Sequence, residues 1–165
     1  MNLKSALTEQ FTTIYDHNAW FVALKNALQN LTAQQAAWKP ENADNSIWEI
    51  LSHLNYYNRA YLERFKGVDY VYPKSNNDET FAGSENISED AWKSEIANFE
   101  AIMSEWRELL ENANEDKFSQ PVSERNKSEW GSVFSQITLH NAHHGGQIVL
   151  LRKLQGSWDS SKGVS

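Results

Sequence analysis

Apolar side chains recur at helical spacing in four separate stretches of this 165-residue chain, and this repeat constrains the fold more than any other feature. The stretches cover about residues 3–31, 46–67, 89–113 and 132–154. No segment keeps the apolar–polar alternation of a strand for long. Three Pro and seven Gly are too few for a turn-rich sandwich or barrel. The sequence therefore predicts an all-α fold, built as a four-helix bundle.

The second stretch has the clearest helix start. Ser46 and Glu49 have the spacing of a capping box, in which each side chain accepts a hydrogen bond from the other residue's backbone N–H. Downstream of this helix, the polar residues 66–88 predict a long crossover between helices two and three. Neither half of the chain could bury its own helices alone, so we expect a single domain at 1–156 and a C-terminal tail at 157–165.

The charge and residue content exclude several classes of protein. The formal net charge is −7 and no basic run is present, which argues against nucleic acid or an anionic membrane as a partner. No stretch approaches the ~18 apolar residues that span a bilayer, and the first residues lack an apolar leader segment, so we expect a cytoplasmic protein. The chain contains no Cys, so any thiol chemistry would need a thiol from a small molecule.

Two histidines on the fourth predicted helix occupy an apolar face. His140 and His144 lie roughly 40° apart at about 100° per residue, on the stripe that also contains Ile137 and Ile148. A buried polar group without a partner costs about 1–3 kcal/mol, and two stacked imidazoles cannot easily satisfy each other. A shared cation resolves this, because histidines at i and i+4 can bind one metal ion at about 2.0–2.1 Å.

A third histidine lies on another apolar helix. His53 is at the edge of the second helix's apolar stripe, so two helices can supply three nitrogens and leave coordination positions open. The alternative is that these are core histidines hydrogen-bonded to water, Ser or Asn. His17, on the first stretch, is a weaker candidate with a surface or boundary role.

Other catalytic motifs are absent from the sequence. The histidine pair lacks the glutamate of HExxH, and no Glu-x-x-His of a di-iron bundle occurs. The sequence also has no P-loop, no GxGxxG and no GxSxG. A metal-free hydrolase therefore has no nucleophile motif here.

Three segments in order resemble the DinB/YfiT-like superfamily of metal-binding four-helix bundles. They are YDHNAW at 15–20, SIWEILSHL at 46–54 and HNAHHGGQI at 140–148. The resemblance implies that His53, His140 and His144 bind one divalent ion, nickel or zinc. It also implies an up-down-down-up helix order and a homodimer. Characterised relatives include transferases and isomerases that use low-molecular-weight thiols such as bacillithiol and mycothiol.

The leading functional hypothesis is a metal-dependent thiol S-transferase acting on a small-molecule substrate. Tyr57, Tyr61, His143 and Gln147 are the residues expected to flank the site, although each has a plausible packing role. Arg152, one turn beyond Gln147, is expected at a solvated helix end, with a contact to a substrate carboxylate as the alternative. Metal-dependent hydrolysis and a non-catalytic metal-binding or dimerising scaffold stay open as alternatives, and no catalytic residue is assigned. Substrate determinants are expected in the crossover and in the loop before helix four.

Overall fold

The computed structural model describes residues 2–74, 76–83 and 86–162, and the part of the chain that it describes contains helices and no strand. The six α-helices are α1 (Leu3–Tyr15), α2 (Leu24–Leu28), α3 (Ala33–Ala37), α4 (Ile47–Phe65), α5 (Glu89–Asn112) and α6 (Trp130–Leu154). Three short 3₁₀ turns lie at Asp78–Thr80, Glu115–Ser119 and Ser160–Lys162. The all-α prediction is confirmed.

Side-chain caps fix where three of the four long helices begin. The Ser46 hydroxyl accepts from Glu49 N at 3.2 Å, and the Glu49 carboxylate accepts from Ser46 N at 2.6 Å, so the predicted capping box at the start of α4 is present. Asn2 caps α1 in the same reciprocal way, and Ser88 caps α5. These hydrogen bonds satisfy backbone N–H groups that have no partner inside the helix.

The first helix is shorter than predicted. The pattern predicted a helix over about residues 3–31, but α1 ends at Tyr15 and the chain re-enters helical structure only in the short α2. The reason is local: the Asn18 side-chain oxygen accepts from Ala23 N at 2.9 Å and from Asn26 Nδ2 at 2.8 Å, which closes a loop in place of a helical turn. Trp20 in this loop is 96% exposed.

The four long helices surround one core. α1 and α4 each pack against both α5 and α6. The short α2 packs on α6, and the short α3 packs on α4. Large aromatic side chains fill much of the interior and are almost completely buried; they are Phe11, Phe99, Trp106, Phe118, Trp130 and Phe134. The short elements therefore complete a core that the long helices form.

The crossover between α4 and α5 returns to the helix it leaves. Its 3₁₀ turn, Asp78–Thr80, contacts α4, and the Tyr57 hydroxyl donates to the Asn77 side-chain oxygen at 3.2 Å. Positions 75, 84 and 85 of the predicted crossover, and 163–165 of the predicted tail, lie outside the described residues. Within the described part of the chain, every helix is too short or too polar to cross a membrane.

Candidate metal centre

α4 and α6 bring three histidines to one point. His53 lies in the second turn of α4, and its ring meets the rings of His140 and His144, which lie one turn apart on α6. The ring centroid of His53 is 5.0 Å from that of His140 and 4.8 Å from that of His144. His53 and His144 are buried, whereas His140 is partly exposed.

The nitrogen atoms of these rings are close enough to share an ion. One ring nitrogen from each histidine lies within 4.8 Å of the other two, and Nε2 of His53 is 2.9 Å from Nε2 of His140. Two nitrogens bound to one tetrahedral Zn²⁺ at about 2.0–2.1 Å lie roughly 3.4 Å apart. Small side-chain adjustments would therefore complete the arrangement, and the three histidines can hold one metal ion.

The outward nitrogens of two rings are hydrogen-bonded, which leaves their Nε2 atoms for the centre. His53 Nδ1 is 2.6 Å from the Thr80 hydroxyl, and His144 Nδ1 is 2.6 Å from the Gln147 side-chain oxygen. A metal-binding histidine usually donates its other ring N–H to such an acceptor, which fixes the tautomer and the ring orientation. The contacts around the centre thus have the pattern of a metal site.

Burial keeps these imidazoles uncharged. Loss of hydration, together with a smaller effect of the neighbouring histidines, lowers the pKa of His53 to about 3 and that of His140 to about 4. The pKa of His144 is also lowered by burial, although its hydrogen bond to Gln147 opposes this shift. Neutral imidazole is the form that binds a metal ion, so all three rings are ready to bind near neutral pH.

Aromatic rings hold His53 in place. Phe81 stacks on the His53 ring with centroids 3.9 Å apart and planes 10° apart, and Tyr57 packs edge-on at 4.9 Å. Tyr57 also meets the ring of His140 at 5.9 Å. Burial raises the pKa of the Tyr57 hydroxyl, so this group stays protonated at neutral pH. Tyr57 is therefore a hydrogen-bond donor beside the centre and not a base.

A cavity of about 390 Å³ opens beside His140. Val133 and Ile137 contribute aliphatic side chains to its lining. Neutral polar groups make up the rest of its lining, from α4, α6, the crossover and the loop before α6: Tyr57, Asn58, Tyr61, Asn77, Asn126, Ser128, Gln136, His140 and Asn141. The two segments in which the sequence predicted substrate determinants thus both border this cavity.

A buried amide pair joins α4 to α6 next to the histidines. Asn58 Nδ2 donates to Asn141 Oδ1 at 2.9 Å, and Asn141 Nδ2 donates back to Asn58 Oδ1 at 3.0 Å. Trp106 Nε1 donates to the Asn58 carbonyl at 3.1 Å. Both amides are almost completely buried, so a slip of one helix along the other would leave them without partners. The pair thereby fixes the register that brings His53 to His140 and His144.

Of the four residues predicted to flank the site, three lie beside the histidine cluster or its cavity and the fourth, His143, does not line the cavity. Tyr57 and Tyr61 line the cavity with His140, and Gln147 hydrogen-bonds His144. The exposed His143 has its ring 5.2 Å from that of His144 but lies outside the cluster of three. His17 is exposed in the loop after α1 and is likewise not part of the cluster.

The expectation for Arg152 is wrong. Its side chain is 6% exposed, and its guanidinium donates to the carbonyls of Ala27, Gln29 and Ser157 at 2.7–2.9 Å. The guanidinium therefore satisfies carbonyl groups at the end of α2 and in the segment after α6. It binds backbone and is neither solvated nor part of the cavity.

Sequence reasoning missed four residues beside the centre: Asn58, Asn141, Thr80 and Phe81. The two asparagines had a signal, since each is a polar residue on a helix that carries a candidate histidine, and Asn141 directly follows His140. Thr80 and Phe81 had none, because the crossover has no periodicity from which a side chain's direction can be predicted.

A family model described as the DinB superfamily matches residues 18–148, which is most of the chain. The matched stretch includes all three clustered histidines and excludes α1. No curated protein and no solved structure matched the chain.

Proposed function

Because the chain belongs to the DinB superfamily, we propose that it is a metal-dependent enzyme that transfers a low-molecular-weight thiol of the bacillithiol type to a small electrophilic substrate. The observation that carries the proposal is the cluster of His53, His140 and His144 beside the cavity. As proposed ligands, the three rings would bind one divalent ion, nickel or zinc. The absence of Cys from the chain means that the thiol would come from a small molecule.

The donor set supports a catalytic role over a purely structural one. A divalent ion with three protein ligands keeps a position for an exogenous molecule, and there it lowers the pKa of a bound thiol or water. His140 lies both in the cluster and in the cavity lining, so a molecule in the cavity would lie beside the centre. The residues Tyr57, Tyr61, Asn77 and Gln136 would orient the substrate through neutral hydrogen-bonding groups.

The experiment uses protein purified without a nickel column and loaded with Zn²⁺ or Ni²⁺. Formation of the adduct between bacillithiol and monochlorobimane is measured against the uncatalysed reaction, the EDTA-treated protein and the His140→Ala variant. The expected result is adduct formation that requires both the ion and His140. Hydrolysis of an activated ester without any thiol would favour the hydrolase, and the absence of both activities would favour the scaffold.

We also propose the up-down-down-up order for α1, α4, α5 and α6. Contacts along α1, α4 and α5 support the directions of these three helices. α6 runs opposite to α4, because Phe65 packs on Trp130 while His53 meets His144. Trp48 meets Trp92 and Phe65 meets Trp106, so the early and late parts of α4 lie beside the early and late parts of α5. On α1 the order is reversed, because Lys4 bonds carbonyls at 111 and 113 while Tyr15 packs on Phe99. A crystal structure of the metal-loaded protein tests this order.

The division into a domain at 1–156 and a tail at 157–165 remains a proposal. The first residues of this tail pack back on the domain, since the Ser157 carbonyl accepts from Arg152 at 2.8 Å and Trp158 packs against the core. A chain ending at 156 would therefore fold with a lower melting temperature than the full chain. Unfolding to the same temperature would count against any role of the tail.

We further propose that the protein is a cytoplasmic homodimer that pairs through the outer face of α6. Leu139, Leu150 and Leu154 are 56–61% exposed and share this face with Gly146, where a Cβ atom would point into open space. Light scattering of the wild type is expected to give a dimer mass, and Leu150→Lys a monomer. Val71→Lys is the control, because Val71 is exposed elsewhere.

A further inference from the structure

The crossover segment from Asn77 to Phe81 reaches the histidine cluster from outside α4 and α6. The Thr80 hydroxyl lies 2.6 Å from His53 Nδ1 and 2.6 Å from the Asn77 carbonyl oxygen, and only 3% of Thr80 is exposed. Thr80 thus stands between a ring nitrogen and a backbone carbonyl in a buried position.

The Asn77 carbonyl also accepts from Thr80 N at 3.0 Å, so the assignment of protons depends on the two short contacts of the Thr80 oxygen. Two atoms 2.6 Å apart need a proton between them, because their lone pairs would otherwise repel, and only one assignment places a proton in both contacts. A hydroxyl has a single proton and a carbonyl can only accept, so the Thr80 proton goes to the Asn77 oxygen. The Thr80 oxygen then accepts, and His53 Nδ1 must be the nitrogen that carries the ring proton. Nε2 of His53 is consequently a bare acceptor, and it faces Nε2 of His140 at 2.9 Å.

Phe81 and Thr80 restrain the His53 ring in complementary ways. The stacked Phe81 ring, 3.9 Å away, fixes the plane of the imidazole but not which edge faces the centre. A ring rotated by 180° would keep the stacking and turn a carbon towards Thr80. The Thr80 hydrogen bond therefore selects the edge, and with it the nitrogen that faces the other two histidines.

We infer that Thr80 is a positioning residue of the metal centre, which holds His53 in the Nδ1–H tautomer through a relay that ends on the Asn77 carbonyl. This inference rests on the proposed metal site. Loss of an outer hydrogen bond to a metal-binding histidine typically costs about 10–100-fold in metal affinity. A second consequence is linkage: Zn²⁺ binding and the position of the crossover stabilise each other, since both need the same hydrogen bond.

The first experiment measures the Zn²⁺ dissociation constant of the full chain by competition with a chromophoric chelator. Thr80→Val keeps the shape of the side chain and removes the hydroxyl, and it is expected to raise the constant about 10–100-fold. Thr80→Ser restores the hydroxyl and should bind within a few-fold of the wild type. Thr138→Val is the matched control, because Thr138 is equally buried but donates to the Ser135 carbonyl of its own helix.

Equal affinity in Thr80→Val and the wild type would overturn the inference. So would an equal loss in Thr80→Val and Thr80→Ser, or a loss of the same size in Thr138→Val, since each would point to packing and not to the hydroxyl. Circular dichroism of each variant checks that it is folded.

The second experiment reads the tautomer without any metal. Long-range ¹H–¹⁵N spectra of the metal-free wild-type protein assign the proton on His53 to Nδ1 or Nε2. A proton on Nδ1 is expected in the wild type, with Nε2–H appearing in Thr80→Val. A proton on Nε2 in the wild type would refute the inference even if Zn²⁺ binds. The predicted tautomer in a protein that binds no ion would keep the assignment of the His53 proton but would overturn both the role of Thr80 at a metal centre and the proposed function.

Discussion

The two ends of the interface between α4 and α6 differ in kind. At the aromatic end, Phe65 of α4 and the α6 residues Trp130 and Phe134 pack with Trp106 of α5. Neighbouring ring centroids there lie 5.0–5.4 Å apart, and none of these residues is more than 5% exposed. At the histidine end, which comprises His53, His140 and His144, two rings present nitrogens to each other at 2.9 Å. One end is closed by dispersion and apolar burial, and the other presents acceptors that need a proton or a cation between them.

The α4–α6 pair therefore has one end that stabilises the fold and another end whose groups could bind an ion. Burying large aromatic side chains favours folding by several kcal/mol each, whereas burying imidazoles costs free energy until their nitrogens are satisfied. The Asn58–Asn141 pair lies next to the histidine end and fixes the register of the two helices. The aromatic end therefore stabilises a geometry that the histidine end could not maintain alone.

The largest expected effect is at the aromatic end. Phe134→Ala should lower the free energy of unfolding by about 3–5 kcal/mol, because it leaves a cavity among buried rings. Urea denaturation measures this loss. At low urea, where the variant is still folded, its Zn²⁺ stoichiometry should match the wild type. A folded variant without Zn²⁺ would break the separation between the two ends.

Substitutions at the histidine end should have the opposite profile. His53→Ala and His140→Ala are expected to raise the Zn²⁺ dissociation constant by about 100-fold or more, roughly 2.7 kcal/mol, because each removes a proposed ligand. His17→Ala is the control, since His17 is exposed and outside the cluster. Elemental analysis and competition titration provide the measurement. Equal metal content in all three variants would mean that the ligand set is wrong.

The amide pair tests whether the two ends depend on one register. Asn141→Leu should lower the free energy of unfolding by about 1–3 kcal/mol, because it leaves the buried Asn58 amide short of a partner. The double variant Asn58→Leu/Asn141→Leu should lose less than the sum of the single variants, since neither amide is then stranded. Additive losses in urea denaturation would show that the two side chains do not act as a pair.

A further expected effect is a pH dependence of stability to which the histidine end contributes. The pKa values of His53 and His140 fall from 6.5 to about 3 and about 4, so the unfolded chain binds more protons than the folded one between about pH 4 and 6.5. These groups therefore oppose folding increasingly as the pH falls through that window. In EDTA, the loss of unfolding free energy towards acid should be shallower in His53→Gln than in His17→Gln. Identical slopes would contradict the lowered pKa of His53.

Most of the helical structure could be predicted from the sequence, because helix starts and apolar periodicity are local. The capping box at Ser46 fixed the beginning of α4, and the stripe on α5 gave its bounds within one or two residues. The first stretch failed for a reason that is also local but easily overlooked. Asn18 supplies a side-chain oxygen that replaces a helical turn, while Phe21, Leu24 and Leu28 still have the spacing of a longer helix.

Only part of the candidate site could be predicted from the sequence. Spacing alone places His140 and His144 on one face of a helix. The apolar stripe of a different helix places His53 at the edge of that stripe. Nothing local specifies that Thr80 would bond His53, or that Phe81 would cover its ring, because loop side chains have no fixed period. Arg152 shows the same limit in reverse: a charged residue near a helix end is usually solvated, yet here three backbone carbonyls surround it.

By itself the sequence determined most of the long helices, the shared face of the α6 histidines and the absence of any protein thiol. Only the tertiary structure decided that the three imidazoles meet within 4.8 Å, which nitrogens face inward and which loop residues border the cavity. The physical reason is the separation along the chain between the residues that interact. Helix periodicity and capping depend on neighbours three or four residues apart, whereas the centre joins position 53 to 80, 140 and 144 through packing between elements that are far apart along the chain.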